Sequence, residues 1–189
     1  MDNTIEILLA THNGRKYIRE LLDSLLTQSY ENILITVYDD YSQDDTVNIL
    51  RSYKIEYPQK IKIILNGSSV IGVIDSFSML IENSQEKYLM LCDQDDVWLK
   101  HKVRETVAEM QSLEAKFGEK TPLLVHTDLI VADNNLKIIN DSFYAYSGRV
   151  DKPQKLARIL HQNFVTGCTM LLNRPLADCC KSIQGCHHA

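Results

Sequence analysis

Glycine and proline are sparse in this sequence, seven and four among 189 residues, which excludes a collagen-like or low-complexity chain. Intrinsic disorder is excluded too, because 44% of the residues are hydrophobic and 20 Lys and Arg nearly balance 25 Asp and Glu. The net charge of −5 supplies no global positive field, which argues against a protein that gains affinity by neutralising nucleic-acid phosphates. Long hydrophobic runs are missing as well. The opening MDNTIEILLATHN has an acidic residue at position 2 and only a short apolar run over 5–10, so neither a secretory signal nor a membrane span is expected, and the expected location is the cytosol. The five cysteines are an odd count, and Cys179, Cys180 and Cys186 crowd the end of the chain. That is no secreted disulfide framework, and reduced thiols are expected. Together with His187 and His188 they also lack the C-x2-C and H-x3-H spacings of a tetrahedral zinc site.

What is present is a chain long enough to bury its own core as a single domain over 1–189. An apolar run over 5–10 followed by Ile18, Leu21, Leu22, Leu25 and Leu26 at helical spacing reads as a strand and an amphipathic helix. A second strand is expected over 33–38, then a helix introduced by Ser42 and Asp45 at capping-box spacing. Further strands are expected over 61–65 and 88–92, with a short helix over 76–82 and a long one over 97–116. Strands alternating with helices imply a parallel open α/β sheet with right-handed crossovers. After Pro122 the pattern changes to a strand over 123–126, a polar irregular stretch over 133–147, a helix over 153–162 and a strand over 164–172.

In open α/β sheets ligands bind beyond the carboxyl ends of the strands. Strand one ends in Thr11-His12-Asn13-Gly14, strand two in Asp39-Asp40, and strand four in Asp93-Gln94-Asp95-Asp96. A single aspartate there is ordinarily a helix cap or a turn residue. Capping uses one carboxylate per helix, so five on one sheet edge exceed that need, and their mutual repulsion calls for a hard divalent cation, Mg²⁺ or Mn²⁺. Other signatures fail: no G-x-G-x-x-G follows strand one, Gly67 and Gly72 lead into Val73 where a P-loop would have lysine, and no G-x-S-x-G elbow is present.

In this order and spacing the motifs resemble the family 2 glycosyltransferases, enzymes of the GT-A fold that transfer a sugar from a nucleoside-diphosphate donor. The matching pieces are Ile7-Leu8-Leu9-Ala10-Thr11-His12-Asn13-Gly14, Val37-Tyr38-Asp39-Asp40 and Leu91-Cys92-Asp93-Gln94-Asp95-Asp96-Val97-Trp98. The last piece, with Asn163-Phe164-Val165-Thr166-Gly167-Cys168 further on, is most similar to the rhamnosyltransferase-like branch that builds bacterial surface polysaccharides. The resemblance implies that Thr11, His12, Asn13 and Asp40 cradle the nucleobase and that Asp93 meets the ribose. It further implies that Asp95 binds the metal bridging the diphosphate, with Asp93 beside it, and that Gly167 and Cys168 line the sugar pocket. Asp96 would support the acids or cap the helix that follows. His12 stands where many relatives carry a tyrosine.

The implied reaction is an inverting transfer to a cell-surface polysaccharide or a lipid-linked glycan, with peripheral contact at the inner face of the membrane. Relatives carry an acidic general base in a segment that would fall beyond Ala189, the last residue here, so the chain is expected to be a truncated form ending at that motif. His188 would be the motif's histidine, and Asp128 is the alternative base within the chain. Two other readings compete: a nucleotide-sugar-binding module without catalysis, and a Mg²⁺-binding receiver-like phosphoacceptor domain, which would need an acidic pair after strand one instead of Thr11-His12-Asn13.

Overall fold

The computed structural model of the chain describes residues 3–148 and 165–184. Strands β1 (Ile5–Thr11), β2 (Ile33–Asp39), β3 (Ile61–Leu65) and β4 (Tyr88–Cys92) alternate with helices α1 (Ile18–Leu26), α2 (Thr46–Glu56) and α3 (Val73–Asn83). They are followed by α4 (Lys102–Phe117), β5 (Leu124–His126), β6 (Val131–Ala132), β7 (Ile138–Asn140) and α5 (Phe143–Ser147). A 3₁₀ turn (Gly167–Thr169) then leads into β8 (Met170–Asn173) and α6 (Arg174–Gln184). The main sheet has the order β3-β2-β1-β4-β8-β5. Its first four strands are parallel, and β8 runs antiparallel to both β4 and β5.

Strand β1 is central because nearly every residue of IEILLAT is buried, as a parallel strand covered on both faces requires. Ile5, Ile7 and Leu9 face a core completed by α1, α2 and α4 through Leu21, Leu22, Leu50, Val103 and Met110. Leu8 faces the opposite core, shared with Leu80 of α3 and Ala177 of α6. Helices therefore cover both faces and leave the two ends of the sheet for loops. Among the described residues no helix is long and apolar enough to cross a membrane.

Several elements differ from expectation. Helix α4 begins at Lys102, five residues later than the pattern suggests, because α1 and the turn after it hold 97–101 in another conformation. Ser24 Oγ accepts from the Trp98 N–H at 3.0 Å, Gln28 Nε2 donates to the Leu99 carbonyl at 2.9 Å, and the Ser29 N–H donates to the Lys100 carbonyl at 2.9 Å. Gln28 Oε1 then accepts from the Val103 N–H at 3.2 Å, so a distant glutamine satisfies a donor in the first turn of α4. Helix α3 starts at Val73 instead of 76. The capping box at 42–45 does not form: Ser42 Oγ donates to Asp39 and Asp44 accepts from Thr46 instead. The stretch expected to be irregular contains β7, which pairs antiparallel with β6 just before it, and helix α5. The strand expected over 164–172 is shorter and preceded by the 3₁₀ turn, and α6 has no counterpart among the expected elements. The helix expected over 153–162 lies outside the described residues. So do Cys186, His187, His188 and Ala189, and with them the expectation that the chain breaks off at a general-base motif just beyond Ala189.

Candidate functional site

The loops following β1, β2 and β4 meet around a cavity of about 330 Å³ lined by Thr11, His12, Asp40, Asp93, Gln94 and Asp95, with Ala10, Val70, Val73 and Ser76 closing its sides. Five of the predicted residues thus share one concavity, at the sheet end where open α/β folds place ligands. Its size and its mix of apolar walls with a few polar groups suit a small organic ligand.

Each loop is tied to its neighbour. Thr11 Oγ1 donates to Asp39 Oδ2 at 3.0 Å, and the Asp40 N–H donates to the Thr11 carbonyl at 2.8 Å. Asn13, at φ 51°, donates its N–H to Ser42 Oγ at 2.8 Å and accepts from the Gln43 N–H at 2.8 Å. The His12 ring sits between two fixed partners: Nδ1 lies 2.7 Å from the Asp40 carbonyl, and Nε2 lies 2.9 Å from Asn13 Nδ2. A carbonyl only accepts and an amide NH₂ only donates, so the proton is assigned to Nδ1.

Asp40 is buried, and both its oxygens are taken. Oδ1 accepts from Asn66 Nδ2 at 3.0 Å and the Ile71 N–H at 2.9 Å, and Oδ2 accepts from the Gly72 N–H at 2.8 Å. Burial alone would raise its pKa, but these donors outweigh it and hold the carboxyl below the usual 3.8. Its main visible work is to fold the β3–α3 loop into a cavity wall. Gln94, the middle residue of the acidic motif, pairs its side-chain amide with the backbone of His12, accepting at 3.0 Å and donating at 3.1 Å. Gly14 permits that approach, since a Cβ there would lie 2.5 Å from Gln94 Oε1.

The acidic end of β4 divides in two. Asp95 is exposed and faces the cavity with Asp93. Asp93, Asp96 and Cys168 each place a ligand atom within 4.8 Å of the others, on the side where the Gly167–Thr169 turn meets β4. Asp96 caps no helix, because α4 starts six residues later, and its Oδ2 is buried without a hydrogen-bond partner. Burial raises the pKa of Asp93, with the Asp95 charge adding to it, and burial likewise raises that of Asp96. Burial and the Asp96 charge push the Cys168 thiol well up. Lys102, at the start of α4, donates to the Cys168 carbonyl at 2.8 Å. Burial lowers its pKa, opposed by Cys92, Asp96, Cys168 and Asp93 around it.

Asp128 is not among the residues lining the cavity. Its carboxylate accepts from Ser142 Oγ at 2.5 Å and from the N–H groups of Leu129, Phe143 and Tyr144 at 2.7, 3.1 and 3.3 Å, so it anchors the start of α5. Although burial works the other way, those donors lower its pKa, which makes it a weaker base. Asn66 and Lys102 are parts of the site that no sequence motif singles out, and Gln94 and Ser42 fall within motifs that assign them no part in the site. For Gln94 a signal existed in its place between two motif aspartates.

Residues 6–117 match the family model described as Glycosyl transferase family 2. The chain is 35% identical over 102 residues to the dTDP-rhamnosyl transferase RfbG of Shigella flexneri, covering 52% of this chain and 35% of that protein. It is 29% identical over 176 residues to an uncharacterised glycosyltransferase of Rickettsia prowazekii, covering 89% of this chain and 49% of the other. The chain thus spans half or less of the length of these curated relatives. Among solved structures, S. aureus TarS 1–349 in complex with UDP-GlcNAc superimposes with a TM-score of 0.60 at 19% identity, over 90% of this chain and 45% of that one. The mannosyltransferase PcManGT from Pyrobaculum calidifontis, in complex with GDP-Man and Mn²⁺, gives 0.52 at 18% identity, over 57% and 32%. These likenesses show the GT-A fold.

Proposed function

Because the chain belongs to glycosyl transferase family 2, we propose that its cavity binds a nucleoside-diphosphate sugar and that the sugar is transferred with inversion to a hydroxyl of a cell-surface polysaccharide or lipid-linked glycan. The observation that carries this reading is the convergence of Thr11, His12, Asp40, Asp93 and Asp95 on one cavity at the carboxyl end of the parallel strands. The similarity to a dTDP-rhamnosyl transferase supports a rhamnosyl donor. A lipid-linked acceptor would bring the protein to the inner face of the cell membrane.

In this reading the base rests between the His12 ring, fixed by Asp40 and Asn13, and the wall that Asp40 builds from 66–72. Asp93 meets the ribose, and Gly167 with Cys168 borders the sugar. The donor set fits Mg²⁺ or Mn²⁺: Asp95 is exposed to the cavity, and Asp93 beside it is raised in pKa partly by the Asp95 charge, a repulsion that a cation relieves. Asp95, with Asp93, would hold that ion. Such an ion supplies electrostatic stabilisation of charge on a departing diphosphate. Asp128 has no part in proton transfer here, since its carboxylate is committed to the start of α5.

A thermal-shift screen of UDP, dTDP, GDP and CDP, each with Mn²⁺, Mg²⁺ or EDTA, tests the assignment, because a ligand bound only by the native state raises stability by about 2.7 kcal/mol at a hundred times its Kd. Stabilisation by one nucleotide only when metal is present is the expected outcome. No stabilisation by any combination overturns the donor site. Donor binding with no sugar transfer to any acceptor, in a form extended to the length of its relatives, would favour the non-catalytic module.

A further inference from the structure

The ammonium of Lys102 sits in a clamp. It donates to the Cys168 carbonyl at 2.8 Å and lies 3.9 Å from the centre of the Trp98 ring, a cation–π distance at which desolvation strengthens the attraction. The two partners come from distant parts of the chain. Trp98 follows the acidic motif, and Cys168 belongs to the turn that opens β8. The same ammonium feels the charges of Asp93 and Asp96, and Asp96 Oδ2 is buried with no hydrogen-bond partner of its own. Burying a carboxylate oxygen in that state is costly, and a nearby positive charge lessens the cost.

We propose that Lys102 is a positioning residue of this site: its ammonium fastens the Gly167–Thr169 turn to the acidic end of β4 and balances the charge that Asp93 and Asp96 gather there. Calling it a positioning residue for the donor rests on the glycosyltransferase reading above, whereas the tether stands on the geometry alone. Lysine suits both tasks because its long apolar stem crosses the packed interface while one compact charge meets the carbonyl and the ring and acts on the carboxylates from farther off. Removing it should loosen the turn and leave the acidic end more negative, so the neighbouring carboxylates would hold a metal ion more tightly while the turn loses its place. A general packing defect would weaken both.

Three variants separate these effects: Lys102→Met keeps the stem without charge or donor, Lys102→Gln keeps a donor without charge, and Lys102→Arg keeps both. Amide hydrogen exchange is followed at Thr169 and Met170, whose N–H groups donate to the Thr166 and Gly167 carbonyls, with β1 amides as the internal control. Mn²⁺ is titrated using emission from Trp98, the only tryptophan. Lys102→Met is expected to speed exchange at Thr169 and Met170 about tenfold without moving β1, and to tighten Mn²⁺ about threefold or more. Lys102→Gln should keep the slow exchange and still tighten Mn²⁺, and Lys102→Arg should match the parent on both counts. Unchanged exchange at Thr169 and Met170 in Lys102→Met overturns the tether, and unchanged or weaker Mn²⁺ binding in both Lys102→Met and Lys102→Gln overturns the charge balance. A parent protein that takes up no Mn²⁺ counts against the metal assignment of the proposed function, while the exchange pattern still decides the tether.

Discussion

The side-chain amide of Gln94 is paired with the main chain of His12, 82 residues away, through two hydrogen bonds of 3.0 and 3.1 Å. An amide that both donates to and accepts from the main chain of one residue behaves like an extra rung of the sheet, placed past the end of the β1–β4 ladder. It fixes the height of the first loop relative to the acidic motif. The nucleobase-side and diphosphate-side residues are thereby registered to each other.

Gly14→Ala should break that registration, because its Cβ would meet Gln94 Oε1 at 2.5 Å. Gln94→Ala alone should cost about 1 kcal/mol for two partly exposed hydrogen bonds. The double variant should recover much of what Gly14→Ala loses, since the clashing group is gone. Urea denaturation of the three variants checks this, and a double variant no better than Gly14→Ala would show that the glycine serves something else.

Asp95→Ala should abolish metal-dependent nucleotide binding while leaving stability within about 0.5 kcal/mol of the parent, as expected for an exposed side chain. Calorimetric titration of nucleotide with and without Mn²⁺ reads the outcome directly. Equal metal-dependent affinity in the variant would move the ion elsewhere in the site.

Asp40→Asn should destabilise the protein at pH 7 by about 1–3 kcal/mol, the range for a buried group left with mismatched partners. The sign with pH follows from its lowered pKa. A carboxyl whose folded pKa lies below the unfolded 3.8 contributes its full stabilisation above that value and loses it as pH falls through the folded pKa. The gap between parent and variant should therefore be constant from pH 7 to about 5 and narrow below about 4. A gap that widens on acidification would contradict the hydrogen-bond assignment.

The thiols of Cys92 and Cys168 are buried, and burial pushes the pKa of each well up. Since the thiolate is the reactive form, iodoacetamide at about pH 7.5 should leave both unmodified in the native protein and label both in urea, while the exposed Cys179 reacts under native conditions. Peptide mass spectrometry distinguishes the sites. Rapid native labelling of Cys168 would mean that the 165–169 turn opens readily.

The parallel half of the fold was legible because its cues are local. The apolar runs of β1, β2 and β4 and the polar residues at their ends lie within a few residues of one another, and the structure brings those ends to one cavity. The start of α4 was not legible, because Gln28 reaches Val103 across 75 residues and no periodicity within 97–116 carries that information. Lys102 was hidden for the same reason: inside an expected helix it is one more charged residue, and its partner at Cys168 is 66 residues away. Asp40 shows a subtler limit. Its place at the site was visible, but the donors on its oxygens come from Asn66, Ile71 and Gly72, a loop whose course the sequence leaves open. The β6–β7 pair escaped notice because strands of two and three residues are too short to show alternation.

The reversed direction of β8 has a consequence for the order in which the protein is made. Strands β1 to β4 are complete once Cys92 has been synthesised, but the turn at Gly167–Thr169, which Lys102 fastens to them, follows roughly 75 residues later. At about 5–20 residues per second that interval lasts some 4 to 15 seconds on the ribosome. Through it the nascent chain carries the acidic end of β4 without the segment that will border it, and a metal ion in solution can reach those carboxylates before the protein's own backbone does.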